Sequence, residues 1–186
     1  CEWVEHYLAP LAKSDLVVDS LREKMAVVGL GRDEATSVAP AGETESDEEV
    51  TAPQFLLTIR DANGAESRVP ADAVVDCSGL SGEVSSSQNP GGNWLSGLRI
   101  EFDAATGAPH GMAELLRSRG PAEGSPAWQP LVTSEPDFYV LGAKSHGKVA
   151  TFNFARGLAQ IRDLFTLIHD RPDLDIYQRM AGVKLG

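Results

Sequence analysis

Apolar positions along this chain come in short runs separated by polar and glycine-containing breaks, and the runs differ in kind. Phe55-Leu56-Leu57-Thr58-Ile59-Arg60 and Glu66 to Val69 have strand character and flank Ala62-Asn63-Gly64-Ala65. Asn-Gly is a strong hairpin signal, because both residues tolerate positive φ. Met25 to Leu30 reads as a strand ahead of them, so the three predict an antiparallel meander. Two further runs are apolar almost throughout and stop on small residues: Asp72-Ala73-Val74-Val75-Asp76-Cys77-Ser78-Gly79 and Phe138-Tyr139-Val140-Leu141-Gly142-Ala143-Lys144-Ser145. Short continuous runs of this type predict buried parallel strands. Helical spacing recurs in two places. Val4, Tyr7, Leu8 and Leu11 give a short amphipathic helix with Trp3 at its edge and Pro10 limiting its extent. From Thr151 to Ile168, Phe152, Phe154, Leu158, Ile161, Leu164, Phe165 and Ile168 form an apolar face, with Arg156, Gln160, Arg162 and Asp163 elsewhere. Leu16-Val17-Val18 and Arg99-Ile100-Glu101-Phe102 read as brief strands. Gly111 to Arg119 reads as a short helix before a Gly-Pro-rich connector, Gly120 to Pro130.

The fold class expected is therefore α/β, with parallel strands, a three-stranded β-meander and a C-terminal closing helix. In open α/β sheets ligands lie outside the carboxyl ends of the strands, where glycine lets the backbone approach a nucleotide or a flavin. Gly79 and Gly142 occupy such ends. The strand, glycine turn and helix that run from Phe138 to Ile168 make an order suited to a dinucleotide. On this reading the amides near Thr151 to Asn153 point at the ligand.

Composition narrows the class. The chain has 186 residues, 42% of them hydrophobic, which is enough to bury a core in one domain or two small ones. All apolar runs are too short to cross a bilayer. The sequence begins at Cys1, which reads as a piece or a processed product. A lipid-anchored start is disfavoured by the helical pattern that sets in at Glu2. Two cysteines, Cys1 and Cys77, make no disulfide framework and suit a reducing cytoplasm. The net charge of −11 is concentrated, because Asp33 to Ala52 holds seven acidic residues and no Lys or Arg. That stretch reads as a solvated, disordered insertion between two strands, with docking to a basic partner as the alternative. No basic patch is present to hold a phosphate backbone, so nucleic-acid binding is not expected.

Candidate chemistry is sparse. His6, His110, His146 and His169 show no metal-ligand spacing, and no metal site is predicted. Ser78 and Ser145 adjoin turns, but neither lies in Gly-x-Ser-x-Gly, which argues against a hydrolase nucleophile. Cys77 reads as a small packing residue rather than a redox thiol. Lys144 and His146 read either as solvent-facing loop side chains or as contacts to a flavin phosphate or ring edge. Gly29-Leu30-Gly31 is not a dinucleotide fingerprint, since Glu34 stands where the third glycine belongs. The segment Ser81 to Gly97, with Asn89-Pro90-Gly91-Gly92-Asn93 before Trp94-Leu95, is either a domain-junction loop or a surface loop pinned by one tryptophan.

Several of these residues carry a resemblance. The hairpin leading into Ala-Asp-Ala-Val-Val-Asp-Cys-Ser-Gly, the later Phe-Tyr-Val-Leu-Gly-Ala-Lys-Ser and the helix with Gln160-Ile161-Arg162-Asp163 resemble the C-terminal part of FAD- and NAD(P)-dependent oxidoreductases. The flavin-containing and N-hydroxylating monooxygenase-like branch is the most similar. The resemblance spans residues 2–32, 54–95 and 136–170, on short motifs. It implies part of a flavoprotein with two dinucleotide-binding domains, in which NAD(P)H reduces FAD and the reduced flavin passes electrons to oxygen or another small-molecule acceptor. It divides the chain into the end of an NAD(P)-binding domain with its meander (residues 1–82, acidic insertion 33–52), a connector (83–136) and the closing strand and helix of an FAD-binding domain (137–186). The N-terminal part of the same protein is then a required partner. Cys77, Ser78 and Gly79 would stand at the nicotinamide-side strand end, and Gly142, Ala143, Lys144, Phe152 and Asn153 around the flavin. No catalytic acid or base is assigned. Two departures stand out: Ala143 follows Gly142 where many relatives carry an aspartate for the ribityl chain, and neither Gly-x-Gly-x-x-Gly fingerprint is present. The alternative expectation is a non-catalytic binding domain derived from such a flavoprotein.

Overall fold

The computed structural model describes residues 13, 21–32, 54–79, 98, 100–118, 123–149 and 151–171. The expected N-terminal helix, the strand at Leu16, the acidic insertion and most of the Asn/Gly/Trp loop lie outside the described residues. No helix among the described residues is long and apolar enough to cross a membrane.

The protein is mixed α/β. Strands β1 (Ala26–Arg32), β2 (Phe55–Arg60) and β3 (Glu66–Ala71) form an antiparallel sheet in the order β1-β2-β3. The pairing is Arg32 with Phe55 and Ala26 with Arg60, then Phe55 with Ala71 and Arg60 with Glu66, and β1 carries an irregularity between Val27 and Gly29. The β2–β3 turn forms at the expected place, but of Asn63 and Gly64 only the glycine takes positive φ. Gly64 takes φ +86°, and the Asp61 carboxylate accepts the amides of Asn63 and Ala65, each at 2.8 Å. Such local side-chain capping is what Asp supplies in turns.

Strands β4 (Val74–Asp76) and β5 (Phe138–Val140) form a separate, parallel two-stranded sheet, with Val74 beside Phe138 and Asp76 beside Val140. β5 is buried at every position because it faces two layers. Phe138 and Val140 join Leu30, Phe55 and Val74 in a core cluster shared with the meander. Tyr139 and Leu141 join Ala108, Met112, Leu131 and Leu164 in a second cluster on the helical side. Alternation along a strand thus distributes its side chains to opposite faces.

Two helices complete the second cluster, α1 (His110–Ser118) and α2 (Phe154–Ile168). The expected strand at Arg99 to Phe102 reduces, among the described residues, to a single bridge between Phe102 and Pro109. α2 starts at Phe154 rather than Thr151, because the Asn153 side chain accepts the Arg156 amide at 2.9 Å and caps the first turn. Its packed face matches the expected one at Leu164 and Ile161 and departs from it elsewhere. Gln160 and Leu164 are buried, whereas Phe154 is 63% exposed and Phe165 and Ile168 are exposed too. Gln160 anchors this face through hydrogen bonds to the turn after β5, beside the apolar packing of Leu164, Ile161 and Leu167.

Candidate functional site

Two polar clusters gather where β4 and β5 end. The first is built on Asp76, the last residue of β4. Its Oδ1 accepts the Ser78 amide at 3.0 Å and the Ser78 hydroxyl at 2.7 Å. Its Oδ2 accepts the Lys144 ammonium at 2.6 Å, and the same ammonium also donates to Ser78 Oγ at 3.3 Å. The Lys144 and Asp76 side chains are only 4% and 2% exposed, so this is a buried ion pair bridging residues 68 apart in the chain. Burying one such charge alone is costly, and the pair persists because Ser78 supplies the further hydrogen bonds. The expectation that Lys144 faces solvent is therefore corrected, since the carboxylate at the end of the neighbouring strand draws it inward.

The second cluster is built on the 3₁₀ turn Gly142–His146 that follows β5. Gln160, in the second turn of α2, accepts the Gly142 amide through Oε1 at 2.9 Å and donates through Nε2 to Ser145 Oγ at 2.7 Å. Ser145 Oγ in turn donates to the Gly142 carbonyl at 2.8 Å and lies 3.1 Å from His146 Nδ1. A hydroxyl has one proton, and when it goes to Gly142 the imidazole must carry its own on Nδ1. His146 is buried as well, its ring edge set against Phe152 with centroids 5.3 Å apart. Desolvation, and then the Arg156 charge, hold its imidazole below the ordinary histidine range. The solvent-facing expectation for His146 is corrected on the same grounds.

The residues singled out in the sequence are distributed as follows. Ser78 and Lys144 meet through Asp76. Gly79 and Gly142 adopt φ +73° and +74°, and a Cβ on either would meet open space, with nothing within 4 Å. Ala143 is half-buried in the 3₁₀ turn. Phe152 packs on His146 and Asn153 caps α2. Cys77 is exposed at the strand end, and desolvation of its sulfur, followed by the neighbouring Asp76 charge, pushes the thiol upward, away from the reactive thiolate. Gln160, which binds Gly142, stands about 9 Å along the helix axis from Phe154, the first residue of α2, at 1.5 Å per residue.

Asp76 and Gln160 organise both clusters. The signal for Asp76 was a charged residue inside Ala73-Val74-Val75-Asp76-Cys77, an apolar strand run in which a carboxylate requires a partner. Ser78 donates to Asp76, the reverse of the proton path that a lysine base acting on serine would need. Ser145, 1% exposed and fully engaged, is not presented to a substrate. No protein-family model, curated protein or solved structure matches the chain.

Proposed function

We propose that this chain forms the strand-end floor of an FAD-dependent NAD(P)H oxidoreductase. The parallel pairing of β4 with β5 supports the reading, because it puts two strand ends side by side, each turning on a positive-φ glycine with free space beyond. Ligands of open α/β sheets occupy that position. The open side of Gly79 and Gly142 fits the approach of a flat or phosphorylated group, and a larger residue at either position would fill it. Cys77, Ser78 and Gly79 would lie toward the nicotinamide, with Gly142, Ala143 and Lys144 toward the flavin. Lys144, its charge compensated by Asp76, would line the flavin side as a fixed hydrogen-bonding group. Phe152 and Asn153 would present the positive end of α2. Bound FAD would supply the redox chemistry, taking hydride from NAD(P)H and passing electrons to oxygen or another small-molecule acceptor.

A second reading, a non-catalytic binding domain on the same shell, is favoured by a different observation. Among the described residues every buried side-chain nitrogen and oxygen has a hydrogen-bond partner, so neither cluster depends on a ligand. One experiment separates the two. An isotopically labelled full chain is titrated with FAD while backbone amide resonances are followed. Saturable shifts at Gly79, Gly142 and Ala143 support the flavoprotein. Affinity should be weak, because the chain has no Gly-x-Gly-x-x-Gly unit for the pyrophosphate. Unmoved amides at about 1 mM FAD, where binding would be worth less than about 4 kcal/mol, would leave only the binding domain.

A further inference from the structure

A cavity of about 400 Å³ lies between α1, the 3₁₀ turn at Gln129–Leu131 and α2; it shares His146 and Gln160 with the second polar cluster and none of the positions assigned to the cofactor. Its walls are largely aliphatic, with Met112, Leu115, Leu116 and Leu131 on one side. The polar groups reaching it differ in whether they are already engaged. Gln160 spends both ends of its amide on Gly142 and Ser145. Asp163 is neutralised by Arg162, whose Nε donates to it at 2.9 Å. Arg156, on the first turn of α2, lines the cavity, is exposed and makes no ion pair among the described residues.

From this combination we infer that the cavity binds a small, mainly apolar carboxylate, its hydrocarbon body against the aliphatic wall and its carboxylate on Arg156. Ligand pockets have this volume, an apolar lining and a few polar groups that set orientation. An apolar cavity of about 150 Å³ already accepts a benzene-sized body, so the space here suits a chain of about eight carbons or a bicyclic ring. The guanidinium matches a carboxylate through two parallel hydrogen bonds, and an alcohol cannot use that geometry. Since Asp163 is compensated by Arg162, the local field in the cavity is that of Arg156, which selects an anion over a cation of the same length.

Sodium octanoate and 1-octanol serve as probes, titrated into the labelled full chain with amide resonances as the readout. Octanoate is expected to shift the amides of Leu115, Val149 and Ala159 saturably at millimolar concentration or below, with 1-octanol at least about fivefold weaker. Arg156→Gln, at an exposed position, should weaken octanoate about tenfold, the worth of one charge-assisted contact, and leave 1-octanol unchanged. Ala159→Phe, which fills the cavity from α2, should weaken both. The inference is overturned if about 5 mM octanoate leaves those amides unmoved, if the alcohol binds as tightly as the acid, or if Arg156→Gln keeps full affinity.

Discussion

At the scale of single residues, the centre of this protein is the buried pair Asp76–Lys144. Removing one partner strands the other charge in a desolvated position, so Lys144→Met is expected to cost about 3–5 kcal/mol by urea denaturation. The double variant Asp76→Leu/Lys144→Met should recover most of that loss, short of the two Ser78 hydrogen bonds that also disappear. His146 gives a pH signature of definite sign. Its folded-state pKa lies below the unfolded value of about 6.5, so in acid the unfolded chain takes up a proton that the folded chain refuses. Stability is therefore full above about pH 6.5 and falls as the pH drops toward the folded-state value, by at most about 1.4 kcal/mol per pH unit. Denaturation between about pH 7.5 and 5 should show this slope, and His146→Phe should remove its share. None of these partnerships was legible from residue order. Lys144 lies 68 positions from Asp76 and is flanked by residues suited to an exposed turn, so only the strand pairing reveals that it is buried.

Elements were legible to the extent that their signals are local. The meander followed from strand runs around Asn63-Gly64, and β4 and β5 from short apolar runs ending on small residues. Their parallel adjacency is a long-range fact, and apolar content alone does not dictate it. In α2 the periodicity located the helix and part of its packed face, Leu164 and Ile161, but not its edges. Phe154 and Phe165 are exposed, while Gln160, held by two hydrogen bonds to the turn after β5, is buried beside Leu164. The turn joining β5 to α2 also depends on a single glycine. Gly147 has φ +57°, and a Cβ there would collide with the carbonyl oxygen of Thr106. Gly147→Ala should therefore cost about 3 kcal/mol or more, from backbone strain and overpacking together. Gly142→Ala, at φ +74° but facing open space, should cost only about 1–2 kcal/mol in the same denaturation measurement. The contrast distinguishes a glycine required by packing from one that leaves room beside the backbone.

Across the whole molecule, one side chain ties the meander to the parallel strands. Arg32, at the end of β1, donates to Glu135 at 2.7 Å, to Gln54 at 2.7 Å and to the Pro136 carbonyl at 2.8 Å, and its guanidinium lies 4.4 Å from the centre of the Phe55 ring. Because Glu135 and Pro136 lead into β5, this contact fixes one sheet against the other. Arg32→Ala should cost about 2–4 kcal/mol, less than a fully buried network because the side chain is a third exposed. Urea denaturation would show it as a lower midpoint, and loosened docking would appear as faster amide exchange in β1 relative to β5. The sequence by itself determined the mixed α/β character, the hairpin, the two short apolar strands and the helix near the C-terminus, because each rests on periodicity, turn chemistry or capping within a few residues. Tertiary structure alone decided that β4 and β5 are neighbours, that Lys144 and His146 are buried, where the packed face of α2 has its edges, and that Arg156 lines a cavity. Those outcomes depend on contacts between residues far apart in the chain, where burial compels each charge and amide to find a partner that its sequence neighbours cannot supply.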